Sequence, residues 1–121
     1  MLFFKKRIGQ LGEKEAVRYL KKKKYKIIET NFINYYGEID IVAKDGDYLV
    51  FVEVKTRSSL DYGYASQAVN YRKQKKLIIL AQTYPTKSSD VNIRFDVVEV
   101  YINKDKNDVF KINHIENAFG I

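Results

Sequence analysis

The hydrophobic pattern of the chain predicts two amphipathic helices. Between residues 9 and 24, apolar side chains recur at the spacing that places them on one helical face. Residues 66–84 repeat this periodicity and end before Pro85, which cannot continue a helix. The predicted inward faces are Gly12, Ala16, Tyr19 and Leu20 in the first helix and Val69, Leu77, Leu80, Ala81 and Tyr84 in the second. Glu13 is an exception, because it is an acid on the flank of the first inward face.

Alternating segments predict strands on either side of the second helix. The predicted strands are residues 25–32, 38–44, 48–56 and 91–102, with residues 58–65 as a loop. Residues 109–112 predict a short last strand, and the tail from Asn113 predicts a short helix. The order of helix, three strands, helix and strand indicates an α/β fold. The length of the chain predicts one domain over residues 1–121.

The turn between the second and third strands brings four charged residues onto one face. Asp45-Gly46 is a strong signal for a two-residue hairpin loop. With that loop, Glu38 and Asp40 share a face with Glu53 and Lys55, and Asp40 is the diagonal neighbour of Glu53. Diagonal Cβ atoms are about 7 Å apart. Two carboxylates at that spacing can bind one divalent cation.

Two interpretations of this acidic face stay open. Glu53 and Lys55 interrupt a strand that otherwise has the composition of a buried one, where charges are usually paired or bound to metal. A solvated Glu-Lys ladder is the alternative. Asp40 on the same face and Glu13 on the helix flank both favour the metal site.

The charge balance favours a polyanionic partner. Lysine and arginine number 22 against 15 acidic residues, so the net charge is +7, which favours nucleic acid over an anionic membrane surface. The absence of cysteine excludes disulfides, thiolate zinc sites and cysteine nucleophiles, and fits a reducing compartment. Residues 77–81 are among the longest apolar runs, far below the ~20 residues of a membrane span. We therefore predict a cytoplasmic protein without a membrane partner.

Several basic and aromatic side chains are candidates for contact with nucleic acid. The candidates for phosphate contact are Arg57, Arg72, Lys73 and Lys76, and the candidates for stacking on unpaired bases are Tyr35, Tyr36, Tyr62 and Tyr64. Solvated or packed side chains are the alternative in each case. The run Lys21–Lys24 either contacts phosphate or is a solvated helix end. Asp96 is interpreted as a partner of Arg94 or another base, and His114 as structural.

Two resemblances add to this interpretation. Asp40 followed by Glu53-Val54-Lys55 resembles the PD-(D/E)xK nuclease signature, with Ile39 where the motif has proline, and Glu13 resembles the extra acid of the Holliday-junction-resolvase branch. From about Gly9 onward, the chain resembles the YraN-like family of small bacterial proteins. The matching segments are Gly12-Glu13 with Ala16, Gly37-Glu38-Ile39-Asp40, residues 50–57, Ala68-Val69 with Lys73, residues 94–98, His114-Ile115 and Asn117-Ala118-Phe119.

The resemblance implies a restriction endonuclease-like core, a mixed sheet flanked by helices in the order α-β-β-β-α-β. It implies that Asp40 and Glu53 bind Mg²⁺ or Mn²⁺, that Glu13 completes the metal shell, and that Lys55 positions or polarises a water. The expected activity is metal-dependent endonucleolytic cleavage of DNA rather than RNA, on branched or damaged substrates. A non-cleaving nucleic-acid-binding module and a scaffold for a protein partner are the alternatives. Since resolvases use two active sites, a homodimer is also expected.

Overall fold

The structure, a computed structural model, describes residues 2–58, 69–86, 91–103, 105, 106 and 108–120. In chain order, the elements are α1 (Leu2–Lys22), β1 (Lys26–Asn34), β2 (Gly37–Asp45), β3 (Tyr48–Ser58), α2 (Tyr71–Gln82), β4 (Asn92–Asn103) and β5 (Asp108–Phe119). The predicted α/β class, a mixed sheet flanked by helices, is confirmed. Tyr62, Tyr64 and almost all of the predicted loop at residues 58–65 lie outside the described residues. Neither helix of the described part is long and apolar enough to cross a membrane.

The five strands form one sheet in which their spatial order follows their order in the chain. Neighbouring strands are antiparallel except β3 and β4, which are parallel and are connected through α2. One apolar layer packs α1 against the sheet through Ala16, Leu20, Ile41, Ala43, Val50, Val52, Val98, Val100 and Ile102. The other layer packs α2 against the opposite face through Leu77, Leu80, Ala81, Val42, Phe51, Phe95 and Val97. The predicted inward positions of the second helix are all buried. The helix is shorter than the predicted residues 66–84, so Val69 and Tyr84 lie just outside α2.

The sheet is forked between β2 and β3. Their pairing runs from Asp45 opposite Tyr48 to Ile41 opposite Val52 and ends there. Towards its start, β2 continues to pair with β1 as far as Gly37. Towards its end, β3 continues to pair with β4 as far as Ser58. The first half of β2 and the second half of β3 therefore have side chains and backbone groups that face a gap in the hydrogen-bond ladder.

The observed hairpin register differs from the predicted one. Asp45 pairs with Tyr48, so the two loop residues are Gly46 and Asp47, and Gly46 has the positive φ of +58° that favours glycine. The difference shifts the partner of each β2 residue by two positions. Because side chains alternate along a strand, a shift of two keeps every residue on its predicted face. One residue beyond the last pair, Asp40 comes opposite Glu53 instead of diagonal to it.

The end of the chain corrects the predicted last elements. Residues 109–112 belong to a strand of 12 residues, and the predicted helix from Asn113 is wrong, since β5 continues to Phe119. Hydrogen bonds to β4, with Ile115 opposite Val97, provide the partners that extend β5. The first helix also differs from its prediction, because α1 begins at Leu2.

Candidate active site

Asp40 lies at the fork, where its carboxylate takes the place of a missing strand partner. The backbone N–H of Val54 donates to Asp40 Oδ2 at 2.7 Å. This amide is available because β2 no longer pairs with β3 beyond Val52. A backbone donor of this kind fixes the position of the carboxylate, which is half-buried.

Glu53 is buried opposite Asp40, and only one of its oxygens has a partner. Its Oε1 is 3.0 Å from Lys73 Nζ, and the residue is 6% exposed. Its Oε2 is buried and has no hydrogen-bond partner among the described residues. Burial, followed by the charge of Asp40, raises the pKa of Glu53 to about 7, although Lys73 acts in the opposite direction. The surroundings of Glu53 therefore disfavour the charged form of its carboxyl group.

Glu13 reaches the same place from α1 because the helix approaches β3 very closely. A Cβ atom on Gly12 would lie 1.9 Å from Thr56 Oγ1, so only glycine permits this approach. Burial and then the charge of Asp40 raise the pKa of Glu13, while a hydrogen bond with Asn31 lowers it. Asp40 thus lies between Glu13 and Glu53 and repels both. Asn31, which has a φ of +55°, is a contributor that the sequence interpretation missed.

The carboxylates open onto a cleft of about 320 Å³. Its lining residues are Tyr36, Gly37, Glu38, Asp40, Glu53, Asn70, Arg72, Lys73, Lys76 and Leu77. The start of α2 supplies the cationic side, and Asn70 caps this helix by accepting from the N–H of Lys73 at 2.9 Å. Three of the four predicted phosphate contacts, Arg72, Lys73 and Lys76, therefore border the acidic pair. The contacts themselves stay a prediction.

Lys55 and Arg57 follow Glu53 on the same face of β3 but lie outside that lining. Lys55 is half-buried and forms no ion pair with another described residue. Arg57 donates from Nε to Glu99 Oε2 at 3.0 Å, and Glu99 is fully buried. Arg57 therefore has a structural task, the neutralisation of a buried carboxylate. Its predicted phosphate contact and the water-positioning role of Lys55 stay predictions.

The donor chemistry of the site suits a hard divalent cation. Carboxylate oxygens are the ligands that Mg²⁺ and Mn²⁺ prefer, and the bare Glu53 Oε2 beside Asp40 can accept a cation without losing a hydrogen bond. In the described part of the chain, no three acidic or histidine side chains are already arranged as a complete ligand set. Asp40 is bound by Val54 N–H and Glu53 by Lys73, so Lys73 must move for Glu53 to offer both oxygens.

A second buried acid, Asp96, lies in a hydrogen-bond network on the α1 side of the sheet. Arg94 Nε is 2.9 Å from Asp96 Oδ1, which confirms the predicted partner. His114 Nε2 is 2.8 Å from Asp96 Oδ2, a contact that the sequence interpretation missed. Burial by itself raises the pKa of Asp96, but the hydrogen bonds from His114, Arg94 and the Asn117 N–H outweigh it, so the pKa is lowered. His114 thus has a buried partner within the fold, and its interpretation as a structural residue stays a prediction.

The basic run Lys21–Lys24 lies at the end of α1, close to this Asp96 network. All four residues are exposed. Lys23 Nζ lies 3.5 Å from Glu116 Oε1 and 3.2 Å from His114 Nδ1. The run therefore borders the structural network and not the acidic cleft, which favours its interpretation as a solvated helix end.

The fold and its cleft define an α/β protein with paired carboxylates at a forked sheet. The chain belongs to the uncharacterised protein family UPF0102, whose model matches residues 12–100 and so includes the whole acidic cleft. UPF0102 is the YraN-like family, so the predicted family is confirmed. A UPF0102 protein of Caldanaerobacter subterraneus subsp. tengcongensis is 49% identical over 117 residues, which cover 95% of this chain and 96% of that protein. A UPF0102 protein of Acetivibrio thermocellus is 51% identical over 120 residues, covering 95% and 92% respectively.

Proposed function

We propose that the protein is a metal-dependent nuclease of the PD-(D/E)xK type that hydrolyses phosphodiester bonds in DNA. One observation carries the proposal: Asp40 and a buried, half-satisfied Glu53 face each other in a cleft whose opposite side is cationic. Asp40 and Glu53, with Glu13 beside them, would hold Mg²⁺ or Mn²⁺. Such a cation stabilises charge on the phosphate oxygens and lowers the pKa of a bound water.

The energetics of the site support a functional role. A buried polar atom without a partner costs about 1–3 kcal/mol, and the repulsion between Asp40 and Glu53 adds to that cost. Carboxyl groups with perturbed pKa values cluster at active sites, where a bound ligand offsets the free-energy cost of burying them. An isolated structural acid would gain nothing from the arrangement.

The cationic residues have separate tasks in this proposal. Arg72 and Lys76 are exposed and can neutralise the phosphates on either side of the scissile bond. Lys73, released from Glu53, can do the same at the bond itself. Lys55, two residues after Glu53, would orient the attacking water or neutralise the phosphate.

A non-cleaving nucleic-acid-binding module is the second candidate. The observation that favours it is the ion pair between Lys73 and Glu53 at 3.0 Å, since it neutralises the acid without a metal. This function keeps the basic side of the cleft and the affinity for nucleic acid but needs no cation.

Incubation of labelled DNA substrates with Mg²⁺ or Mn²⁺ tests the proposal, using duplex, flap, four-way-junction and single-stranded forms. We expect wild-type cleavage of at least one form, and a loss of several powers of ten in rate for Asp40→Asn, Glu53→Gln and Lys55→Ala. The conservative amides keep the shape of the site and remove its charge. DNA binding by Asp40→Asn and Glu53→Gln should stay equal or become slightly tighter, because these variants remove repulsion between carboxylate and phosphate.

The matched controls are Glu15→Gln on α1 and Asp47→Asn at the β2–β3 turn, which remove equivalent charges elsewhere. Both should cleave at the wild-type rate. If the wild type binds DNA but cleaves no substrate with either metal, the nuclease proposal fails and the binding module replaces it.

A further inference from the structure

Two tyrosines at the β1–β2 turn present their rings to solvent beside the acidic cleft. Tyr35 is 94% exposed and Tyr36 is 42% exposed. Their rings meet edge to face, with centroids 5.3 Å apart. Tyr36 lines the cleft together with Asp40 and Glu53. An aromatic side chain left in water forgoes the large stabilisation of its burial, so a pair of them at a cleft indicates a contact surface.

The turn that carries these rings is held in place. Asn34 Oδ1 accepts from the N–H of Tyr36 at 2.9 Å, and Asn34 Nδ2 donates to Thr83 Oγ1 at 3.3 Å. Thr83 caps the end of α2, so the second bond connects the turn to the helix on the other side of the cleft. Gly37 closes the turn with a φ of +148°, a conformation that favours glycine. The rings are therefore presented on a fixed support.

The opposite side of the cleft has a different chemistry. Arg72 and Lys76 are exposed on α2, and Lys73 lies between them and the acidic pair. Aromatic rings on one side and cations on the other match the two parts of a nucleotide, the base and the phosphate.

We propose that the cleft binds a single-stranded or unpaired stretch of nucleic acid, with bases stacked on Tyr35 and Tyr36 and phosphates against Arg72 and Lys76. The inference rests on the proposed function, because it assumes a nucleic-acid ligand. In a duplex, both faces of a base are covered by its neighbours, so an aromatic side chain can stack only where pairing is interrupted. The substrate class is therefore DNA with unpaired nucleotides, and intact duplex is a poorer ligand.

Fluorescence anisotropy in EDTA tests this inference without any cleavage. The probes are a labelled oligothymidylate, an oligomer of equal length with abasic sugars, and a duplex. The wild type should bind the oligothymidylate about tenfold more tightly than the abasic strand, which retains the phosphates but offers nothing to stack. The double variant Tyr35→Leu, Tyr36→Leu should lose this tenfold preference while binding the abasic strand unchanged. Tyr35→Phe with Tyr36→Phe should keep it, because the rings remain.

Phe110→Leu is the matched control, since Phe110 is 55% exposed on β5 at the opposite edge of the sheet. It should leave all three affinities unchanged. Equal wild-type binding of the oligothymidylate and the abasic strand would overturn the stacking inference while leaving a nucleic-acid function standing. So would a leucine variant that keeps the preference. Absence of binding to all three probes would overturn the proposed function together with this inference.

Discussion

Glu53 and Asp96 are buried acids on neighbouring strands of one sheet, each paired with a basic side chain, but they differ in how completely their oxygens are hydrogen-bonded. Glu53 on β3 faces α2 and pairs with one lysine, leaving Oε2 without a partner among the described residues. Asp96 on β4 faces the α1 side and accepts hydrogen bonds at both oxygens. The pKa of Glu53 is raised to about 7, while that of Asp96 is lowered.

The difference separates two reasons for burying a charge. The donors around Asp96 replace its water completely, so its negative charge connects β4 to β5 through His114 and the Asn117 N–H. The surroundings of Glu53 replace only part of its water, and the carboxylate of Asp40 adds repulsion. Structural acids typically have hydrogen-bond partners at both carboxylate oxygens, whereas a buried acid with an unpaired oxygen is typical of a binding or active site.

Removal of the Asp96 carboxylate should have the largest effect on stability. Asp96→Ala removes the carboxylate partner of buried His114 and one of the two carboxylate partners of Arg94, which costs about 3–5 kcal/mol of unfolding free energy. Urea denaturation followed by circular dichroism measures it. Asp45→Ala is the matched control, because Asp45 contacts the same Arg94 at 3.0 Å from a much more exposed position. It should cost less than about 1 kcal/mol. Similar costs for both would remove the distinction between satisfied and exposed acids.

Glu53→Gln should raise the unfolding free energy rather than lower it, by an amount that depends on pH. The folded-state pKa of Glu53, about 7, lies above the ordinary glutamate value of 4.5, so folding favours the protonated form. The stability contributed by this preference is fully present below pH 4.5 and is lost as the pH rises through 7. Glutamine keeps the neutral form at every pH. The variant should therefore equal the wild type near pH 4 and exceed it by about 3 kcal/mol at pH 8.

Urea denaturation of both proteins across this pH range measures the difference. Glu116→Gln, at an exposed acid, is the control and should show no rise of comparable size. A wild type that is more stable than Glu53→Gln at pH 8 would mean that the ion pair with Lys73 outweighs burial, and that Glu53 resembles Asp96 after all.

The sequence pattern predicted the acidic face correctly even though its register was wrong. Side chains alternate between the two faces of a strand, so a shift of two positions at the hairpin left Asp40, Glu53 and Lys55 on their predicted face. The shift itself depended on whether Gly46 takes the first or the second loop position, which the dipeptide Asp45-Gly46 does not determine. The sequence therefore could not predict the distance between Asp40 and Glu53, or the fork that separates their strands.

Features that depend on distant partners were missed for the same reason. The tail from Asn113 lacks a clear alternation, and it forms strand because β4 offers it a hydrogen-bonding edge. The bond between His114 and Asp96 follows from that pairing, which sets His114 opposite Val98. Asn31 gave one local signal, an amide residue within a predicted strand, but its contact with Glu13 needed the close approach of α1 at Gly12.

Divalent metal should give the smallest effect and should act at only one of the two acids. Mn²⁺ or Mg²⁺ bound at Asp40 and Glu53 stabilises the folded state by about 1.4 kcal/mol when its concentration is ten times the dissociation constant. Because a cation favours the ionised form of Glu53, the effect should grow as the pH rises from 6 towards 8. Differential scanning fluorimetry with increasing metal at several pH values measures it.

The double variant Asp40→Asn, Glu53→Gln should lose this stabilisation, since amides replace both carboxylates. Asp45→Asn, an acid that contacts the Asp96 network through Arg94, should keep all of it. Asp96 has no oxygen left to offer, because Arg94, His114 and the Asn117 N–H already occupy both. An equal metal response from the double variant would place the cation elsewhere on the protein. Glu53 Oε2 would then need a partner other than a metal ion, and Lys73 would be the permanent counter-ion of the carboxylate.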